Sequence, residues 1–227
     1  MSTRVSVIVF DVNETLSDMS PMAARFVEVG APANLAIAWF AGLLRDGFAL
    51  AAAGDNEKFA LIGAEALRGL LRDVPLSRSL EEAREHILGG LAELDLHPDV
   101  VNGVRVLRAA GFRMVTLSNG STQVAERLLT KAGIRSEFET LLSVQDAPAW
   151  KPVRAAYDYA ADACGVEPDQ MILVAAHPWD IHGASRAGMQ TAWLNRSDDP
   201  YPGYFTAPEY TIRAPRDLAV LLGHPDH

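Results

Sequence analysis

Basic residues are in short supply: 20 Lys and Arg stand against 29 Asp and Glu, a formal net charge of −9 in 227 residues. That balance disfavours polyanionic partners, and the Lys or Arg cluster that a phosphate backbone needs is missing, so no nucleic acid partner is expected. A small anionic substrate remains compatible, because local positive charge can oppose the global balance. Cysteine occurs once, as Cys164. No intrachain disulfide can therefore form; a reducing, cytoplasmic setting is expected, with the thiol as a small buried apolar group. No apolar run reaches the roughly 18 to 20 residues of a membrane span, and no cleavage site follows a long apolar segment near the start, so neither a membrane partner nor a signal peptide is expected. Repeats and low-complexity segments are also missing. With 49% hydrophobic and 22% charged residues, what remains is an ordinary globular chain, long enough for one large domain or a domain with an insertion.

What is present is organised by pattern. Val5-Ser6-Val7-Ile8-Val9-Phe10 ends abruptly in Asp11. Such a run reads as a strand buried on both faces, at the centre of a parallel sheet. A carboxylate at its carboxyl end lies where open α/β sheets bind ligands, although it suits a turn or a helix cap equally well. After Thr15 the spacing of Met22, Phe26 and Val29, of Leu35, Trp39 and Leu43, and of Phe59, Leu67 and Leu71 is helical. About four helices without strands between them imply a separate helical unit, with the return at His97-Pro98. From there helices stop at Gly111, Gly165 and Gly188, leading into apolar runs at 112–117, 171–175 and 191–194. Pro98 and Pro152 are expected in first helical turns, and 210–212 and 217–222 read as a last strand and helix. Repeated αβ units imply parallel strands with right-handed crossovers. The expected fold is α/β: a Rossmann-like parallel sheet with helices on both faces, formed by residues 1–16 and 97–227. A helical cap, 17–96, is inserted after the first strand, above Asp11.

Polar clusters close the strands. Leu117-Ser118-Asn119-Gly120-Ser121 ends the second, Ala175-Ala176-His177-Pro178-Trp179-Asp180 ends the fourth, and Trp150-Lys151-Pro152 opens the helix between. Because parallel strands expose their carboxyl ends on one side, Asp11, Thr15, Ser118, Asn119, Lys151 and Asp180 are expected to converge. Taken singly, Ser118 and Asn119 suit a turn, Asp180 a first helical turn and Lys151 a solvated surface. Yet a cation just before a helix N-terminus opposes the macrodipole, and such local misfits collect at functional sites.

The order D-x-N-x-T, S-N-G, K-P and a final D resembles the haloacid dehalogenase superfamily over nearly the whole chain. The resemblance implies a cap closing over the site and Asp11 as a nucleophile that forms a covalent ester. Phosphatases of that superfamily have a second Asp where Asn13 stands, to protonate the leaving alcohol; Asn cannot, and halide needs no proton. They also gather acids in the last motif for Mg²⁺, whereas here Ala175, Ala176 and His177 precede Asp180. Both features resemble the L-2-haloacid dehalogenase branch. That likeness implies a hydrolase without metal or cofactor that displaces halide from a short 2-haloalkanoic acid, a small carboxylate substrate, through an aspartyl ester. Lys151 would keep Asp11 ionised, Thr15 and Asp180 would position the pair, and Ser118 and Asn119 would bind the substrate carboxylate. Asn13, Trp39, Phe40 and Tyr157 would line the site, Tyr157 fitting equally as a core aromatic. His177, where that branch usually has Asn, is a candidate base for ester hydrolysis or a hydrogen-bonded structural histidine. Phe40 stands where the branch has a halide-receiving Arg. Either Trp39 and Phe40 form a different halide pocket, or Arg45 or Arg25 substitutes, or the leaving group differs, as in relatives that open strained rings. The other readings are a Mg²⁺-dependent phosphohydrolase and a non-catalytic carboxylate-binding protein. A homodimer is the candidate assembly.

Overall fold

The computed structural model describes residues 5–223. Six strands, Val7–Phe10 (β1), Arg113–Ser118 (β2), Thr140–Ser143 (β3), Met171–Ala175 (β4), Gln190–Leu194 (β5) and Tyr210–Ile212 (β6), form one sheet in the order β3-β2-β1-β4-β5-β6. Every neighbouring pair is parallel. The expected α/β architecture is the one observed, with β1 at the centre and fully buried. Its period-2 alternation divides the core: Val7 and Val9 join one apolar cluster, Ile8 and Phe10 the other.

Helices cover both faces. The helices Arg154–Cys164 (α7) and Pro178–Ala187 (α8) place Tyr157, Ala160, Ile181 and Ala184 beside Val7 and Val9. On the opposite face, Val100–Ala109 (α5) and Asp217–Leu221 (α9) bring Val104, Leu107 and Leu218 to Ile8 and Phe10. A further helix, Thr122–Lys131 (α6), packs beside β3. Gly111, Gly165 and Gly188 all have positive φ at helix ends, as their position after apolar periodicity predicts.

Between β1 and α5 lie four helices: Met22–Glu28 (α1), Leu35–Ala53 (α2), Phe59–Leu71 (α3) and Leu80–Leu91 (α4). The last begins with a capping box, Ser79 and Glu82 each satisfying the other's backbone N–H, an arrangement worth about 1 kcal/mol. The two connections to this insertion run side by side. Ser17 bridges Leu96 in antiparallel fashion, and the amide of His97 donates to the Leu16 carbonyl at 2.9 Å. The insertion is fastened to the core chiefly by aromatic rings. Phe59 stacks on Trp150 with centroids 5.9 Å apart, Phe48 meets Trp179 at 4.9 Å, and the Trp150 indole N–H donates to the Glu57 carbonyl at 2.9 Å. Gly47 makes this possible, since a Cβ there would lie 2.3 Å from the Trp150 ring.

Three expectations need correction. Pro98 precedes the N-cap Asp99 of α5, and Pro152 lies in the turn before the N-cap Val153 of α7, joined to Lys151 by a cis peptide bond. Neither occupies a first turn; Pro178, at the start of α8, does. Strand β3, counted in the sequence but not located there, is Thr140-Leu141-Leu142-Ser143, which follows a short 3₁₀ turn instead of a glycine stop. Finally, α2 has 19 residues and a mean hydropathy of 1.5, long and apolar enough to cross a membrane. A search for unbroken apolar runs passes over it because Arg45-Asp46 interrupts the sequence. Here its Trp39, Phe40, Leu43 and Gly47 face inward.

Candidate active site

The amide of Asp11 extends the β1–β4 ladder by donating to the Val174 carbonyl at 3.1 Å. This fixes the backbone at the sheet's carboxyl edge, and the chain then turns so that the Thr15 hydroxyl donates back to Asp11 Oδ2 at 2.7 Å. Thr15 Oγ1 also accepts from the Ala176 amide at 3.0 Å, tying the first loop to the end of β4. Opposite, the Lys151 ammonium donates to Asp11 Oδ1 at 3.0 Å and to Asp180 Oδ2 at 2.6 Å. Pro178 starts α8, which puts Asp180 in its first turn, where free backbone N–H groups favour a carboxylate. Tyr157 donates to Asp180 Oδ1 at 2.6 Å, and its close fit depends on Gly183, where a Cβ would lie 2.5 Å from the hydroxyl oxygen.

Asp11, Lys151 and Asp180 are all buried, Lys151 and Asp180 completely. Burial alone would raise both carboxyl pKa values and lower that of the lysine. For Asp11, the Lys151 charge and the bonds from His177 and Thr15 reverse this, holding the carboxyl far below the carboxylate range. Burial and the neighbouring Asp11 charge raise Asp180 despite its bond to Lys151, while the two carboxylates overcome burial to raise Lys151. Of the two carboxyls, Asp11 is therefore the one held ionised.

The structure brings together every residue expected to converge, though not always with a free side chain. Asn119 is occupied: its Oδ1 accepts from the Lys151 amide at 3.0 Å and its Nδ2 donates to the Lys151 carbonyl at 3.2 Å. It holds the lysine's backbone, so its side chain is not open to substrate. Ser118 Oγ accepts from the Gly120 amide at 2.9 Å and lines a small cavity of about 170 Å³ with Asn13, Trp39, Phe59 and Gln145. Tyr157 lines neither this cavity nor a larger groove of about 720 Å³ bordered by Glu14, Phe40 and His177; it serves Asp180. The indole N–H of Trp39 is engaged by the Gly63 carbonyl at 2.9 Å. Phe40 faces the groove, its ring 6.4 Å from that of His177. Arg45 pairs with Asp46 and Arg25 with Glu93, and neither lines the groove or the cavity.

His177, the N-cap of α8, places Nδ1 3.2 Å from Asp11 Oδ2 and Nε2 2.7 Å from Glu14 Oε2. Burial would lower its pKa, but the bonds and charges of Asp11 and Glu14 raise it to about 9. A protonated imidazole cannot accept a proton, so a base role for His177 requires that the charge of Asp11 first be neutralised. Two participants escaped the sequence reading. Glu14 is hidden inside the D-x-N-x-T spacing, and Arg196 holds the same loop by donating to the Thr15 carbonyl at 3.0 Å while forking onto Asp99. Asn195-Arg196 directly follows β5, so the rule that polar residues at strand ends build the site would have found it.

These groups are poor material for a metal centre. Among the described residues no cluster of three or more His, Cys, Asp or Glu could hold a metal ion. The oxygens of Asp11 and Asp180 already accept from Lys151, Thr15, His177 and Tyr157, whereas Mg²⁺ needs several free oxygen ligands. The donor set does not fit Mg²⁺.

Comparison with known proteins agrees with the fold. The chain is 28% identical over 211 residues to haloacetate dehalogenase H-2 of Moraxella sp. (strain B), covering 92% of this chain and 94% of the relative. It is 29% identical over 217 residues to (S)-2-haloacid dehalogenase 4A of Burkholderia cepacia, covering 94% and 93%. A dehalogenase solved with an intermediate complex superposes with a TM-score of 0.89 at 26% identity, covering 97% and 98%. The model of the haloacid dehalogenase-like hydrolases matches residues 5–188, strands β1 to β4 with the insertion and α8 included, and the chain belongs to that family.

Proposed function

We propose that this chain hydrolyses the carbon–halogen bond of short 2-haloalkanoic acids, with Asp11 as the nucleophile. The observation behind this reading is a buried carboxylate held ionised by Lys151 at 3.0 Å, with Asn13 where an acid would be needed for a basic leaving group. The activities for which the relatives are named, haloacetate and (S)-2-haloacid dehalogenation, agree with it. An Asp11 oxygen attacks C2 of the acid, the carbon–halogen bond breaks with its electron pair leaving on halide, and an aspartyl ester forms. Water then attacks the ester carbonyl carbon, releasing the 2-hydroxy acid and restoring Asp11.

Residues 17–96 act as the cap in this scheme, over a core of 1–16 and 97–227. The cavity of about 170 Å³ beside Ser118 and Asn13 suits an acid of two or three carbons, a few times the roughly 30 Å³ that one water takes up in the liquid. The Ser118 hydroxyl and the Asn119 backbone amide bind the carboxylate. Asn119 and Asp180 position Lys151, Thr15 positions Asp11, and the halide leaves against an apolar wall that includes Phe59.

Incubation with bromoacetate, chloroacetate and (S)-2-chloropropionate should release halide and 2-hydroxy acid in equal amounts, unaffected by EDTA. In a single turnover in ¹⁸O-water, label should enter Asp11. Asp11→Asn should abolish turnover while leaving the fold intact. Absence of halide release, together with Mg²⁺-dependent phosphate release from p-nitrophenyl phosphate, would overturn the proposal.

A further inference from the structure

The loop after Asp11 looks into two spaces: Asn13 lines the cavity of about 170 Å³ and Glu14 the groove of about 720 Å³. Helix α2 stands between the same two spaces. Its neighbouring residues Trp39 and Phe40, about 100° apart around a helix, face different ones, Trp39 the cavity and Phe40 the groove. Among the described residues none lines both. The rings meet across the divide. Phe40 lies 6.4 Å from Phe59, which lines the cavity, and 6.4 Å from His177, which lines the groove, both within the range of touching rings.

The other members of this wall are fixed. Phe59 stacks on Trp150, and the Trp39 indole is tied to the Gly63 carbonyl at 2.9 Å. Phe40 has only packing to hold it. Ala23, Ala36 and Ala41 line the groove on its cap side, and side chains this short leave the Phe40 ring to fill the space between α2 and His177.

The groove itself has two characters. Its cap side is apolar, with Met22, Ala36 and Leu44, whereas its core side carries Glu14, Asp18 and Asp199. The cations beside these acids are already engaged. Arg196 forks onto Asp99 and donates to the Thr15 carbonyl, and His177 lies between Asp11 and Glu14. Burial holds the pKa of His97 below its ordinary value. Such a surface accepts an alkyl chain and repels a second carboxylate.

We propose that Phe40 sets the upper length of the acid: with Phe59 it forms a partition, and the groove behind it takes a neutral alkyl chain once position 40 is made small. The inference rests on the haloacid reading given above. With the carboxylate at Ser118 and C2 at Asp11, the chain of an acid longer than three carbons runs against this wall. A shorter side chain at position 40 joins the cavity to the apolar side of the groove. Phe40 is thus a specificity-determining residue that meets the far end of the substrate and takes no part in bond breaking.

The test is the ratio of kcat/KM for 2-bromohexanoate to that for 2-bromopropionate, taken within each variant so that a general loss of activity cancels. In the parent the ratio should lie well below one. In Phe40→Ala it should rise about 10- to 60-fold, since each of the three further methylenes gains up to about fourfold on burial. The gain should appear mainly as a lower KM for the long acid. Phe40→Leu, which keeps more of the packing, should give a smaller rise and decides the matter if Phe40→Ala does not fold. 2-Bromoadipate, equally long but ending in a second carboxylate, should gain little in either variant. A parent ratio near one, or a ratio unchanged in the variants, would overturn the inference. So would equal gains for 2-bromohexanoate and 2-bromoadipate, because a merely loosened site admits both. Absence of halide release from bromoacetate by the parent enzyme would instead remove the reading beneath it.

Discussion

Asp11 has a cation on each side, and each cation bridges to a second carboxylate: Lys151 to Asp180, His177 to Glu14. The two halves share a stoichiometry and differ in access. On the buried side the second carboxylate is wholly enclosed and closed off by Tyr157; on the groove side it is 44% exposed. The cations differ as well. Two carboxylates raise the pKa of Lys151 above its already high ordinary value, so its charge is fixed, whereas that of His177 is lifted only to about 9 and depends on Asp11 remaining anionic. The same ionic motif thus encloses its second carboxylate where it is dry, and leaves it open to solvent where it is wet.

The most forceful way to break the comparison is Lys151→Met. It leaves Asp11 and Asp180 buried without their shared cation, and breaking such a network costs about 3–5 kcal/mol. Turnover should vanish with it. Because the penalty is that of uncompensated negative charge, the deficit in melting temperature against the parent should shrink between pH 8 and pH 5, where one carboxyl can take a proton. A deficit independent of pH would mean that lost packing, not charge, is responsible.

That Lys151 belongs with Asp11 was legible in the sequence because the sheet rule is geometric: strands that read as buried and parallel deliver their carboxyl-end residues to one edge, whatever those residues are. For the same reason the alternation of Val7, Ile8, Val9 and Phe10, the helical insertion and the glycine stops could be read directly. Side-chain direction could not. Asn119 looked like a substrate ligand and instead grips the Lys151 backbone, and Tyr157 looked like a cavity wall and instead donates to Asp180. Each choice depends on a partner more than twenty residues away in sequence, which local pattern does not encode. Glu14 was missed for a related reason, since only its left-handed backbone turns it towards His177.

A second experiment addresses the groove side through stability. An imidazole pKa raised from an ordinary 6.5 to about 9 means that folding favours the protonated ring. It is equivalent to roughly 3 kcal/mol at most. The contribution is fully present below pH 6.5, declines as pH rises and is lost above about 9. Thermal melting of the parent and of His177→Gln from pH 6 to pH 10 should therefore give curves that converge as pH rises. Parallel curves would show that the ring is not held protonated by Asp11 and Glu14.

The smallest effect, and the sharpest for the comparison, is expected from Tyr157→Phe. It removes a 2.6 Å bond to Asp180 Oδ1 and leaves a buried carboxylate with one donor fewer, a change worth about 1.5–3 kcal/mol for a hydrogen bond to a charged group. Tyr157 touches neither Asp11 nor either opening, so the loss should be read mainly in melting temperature, with the pH midpoint of ester hydrolysis unmoved. Glu14→Gln should move that midpoint, and should lower the melting temperature only where the imidazole is protonated, because a neutral side chain no longer favours the charged ring. If Tyr157→Phe instead shifted the pH profile as Glu14→Gln does, the charge on Asp180 would reach His177 through Lys151 and Asp11. The two halves would then act as one coupled chain of five ionisable groups.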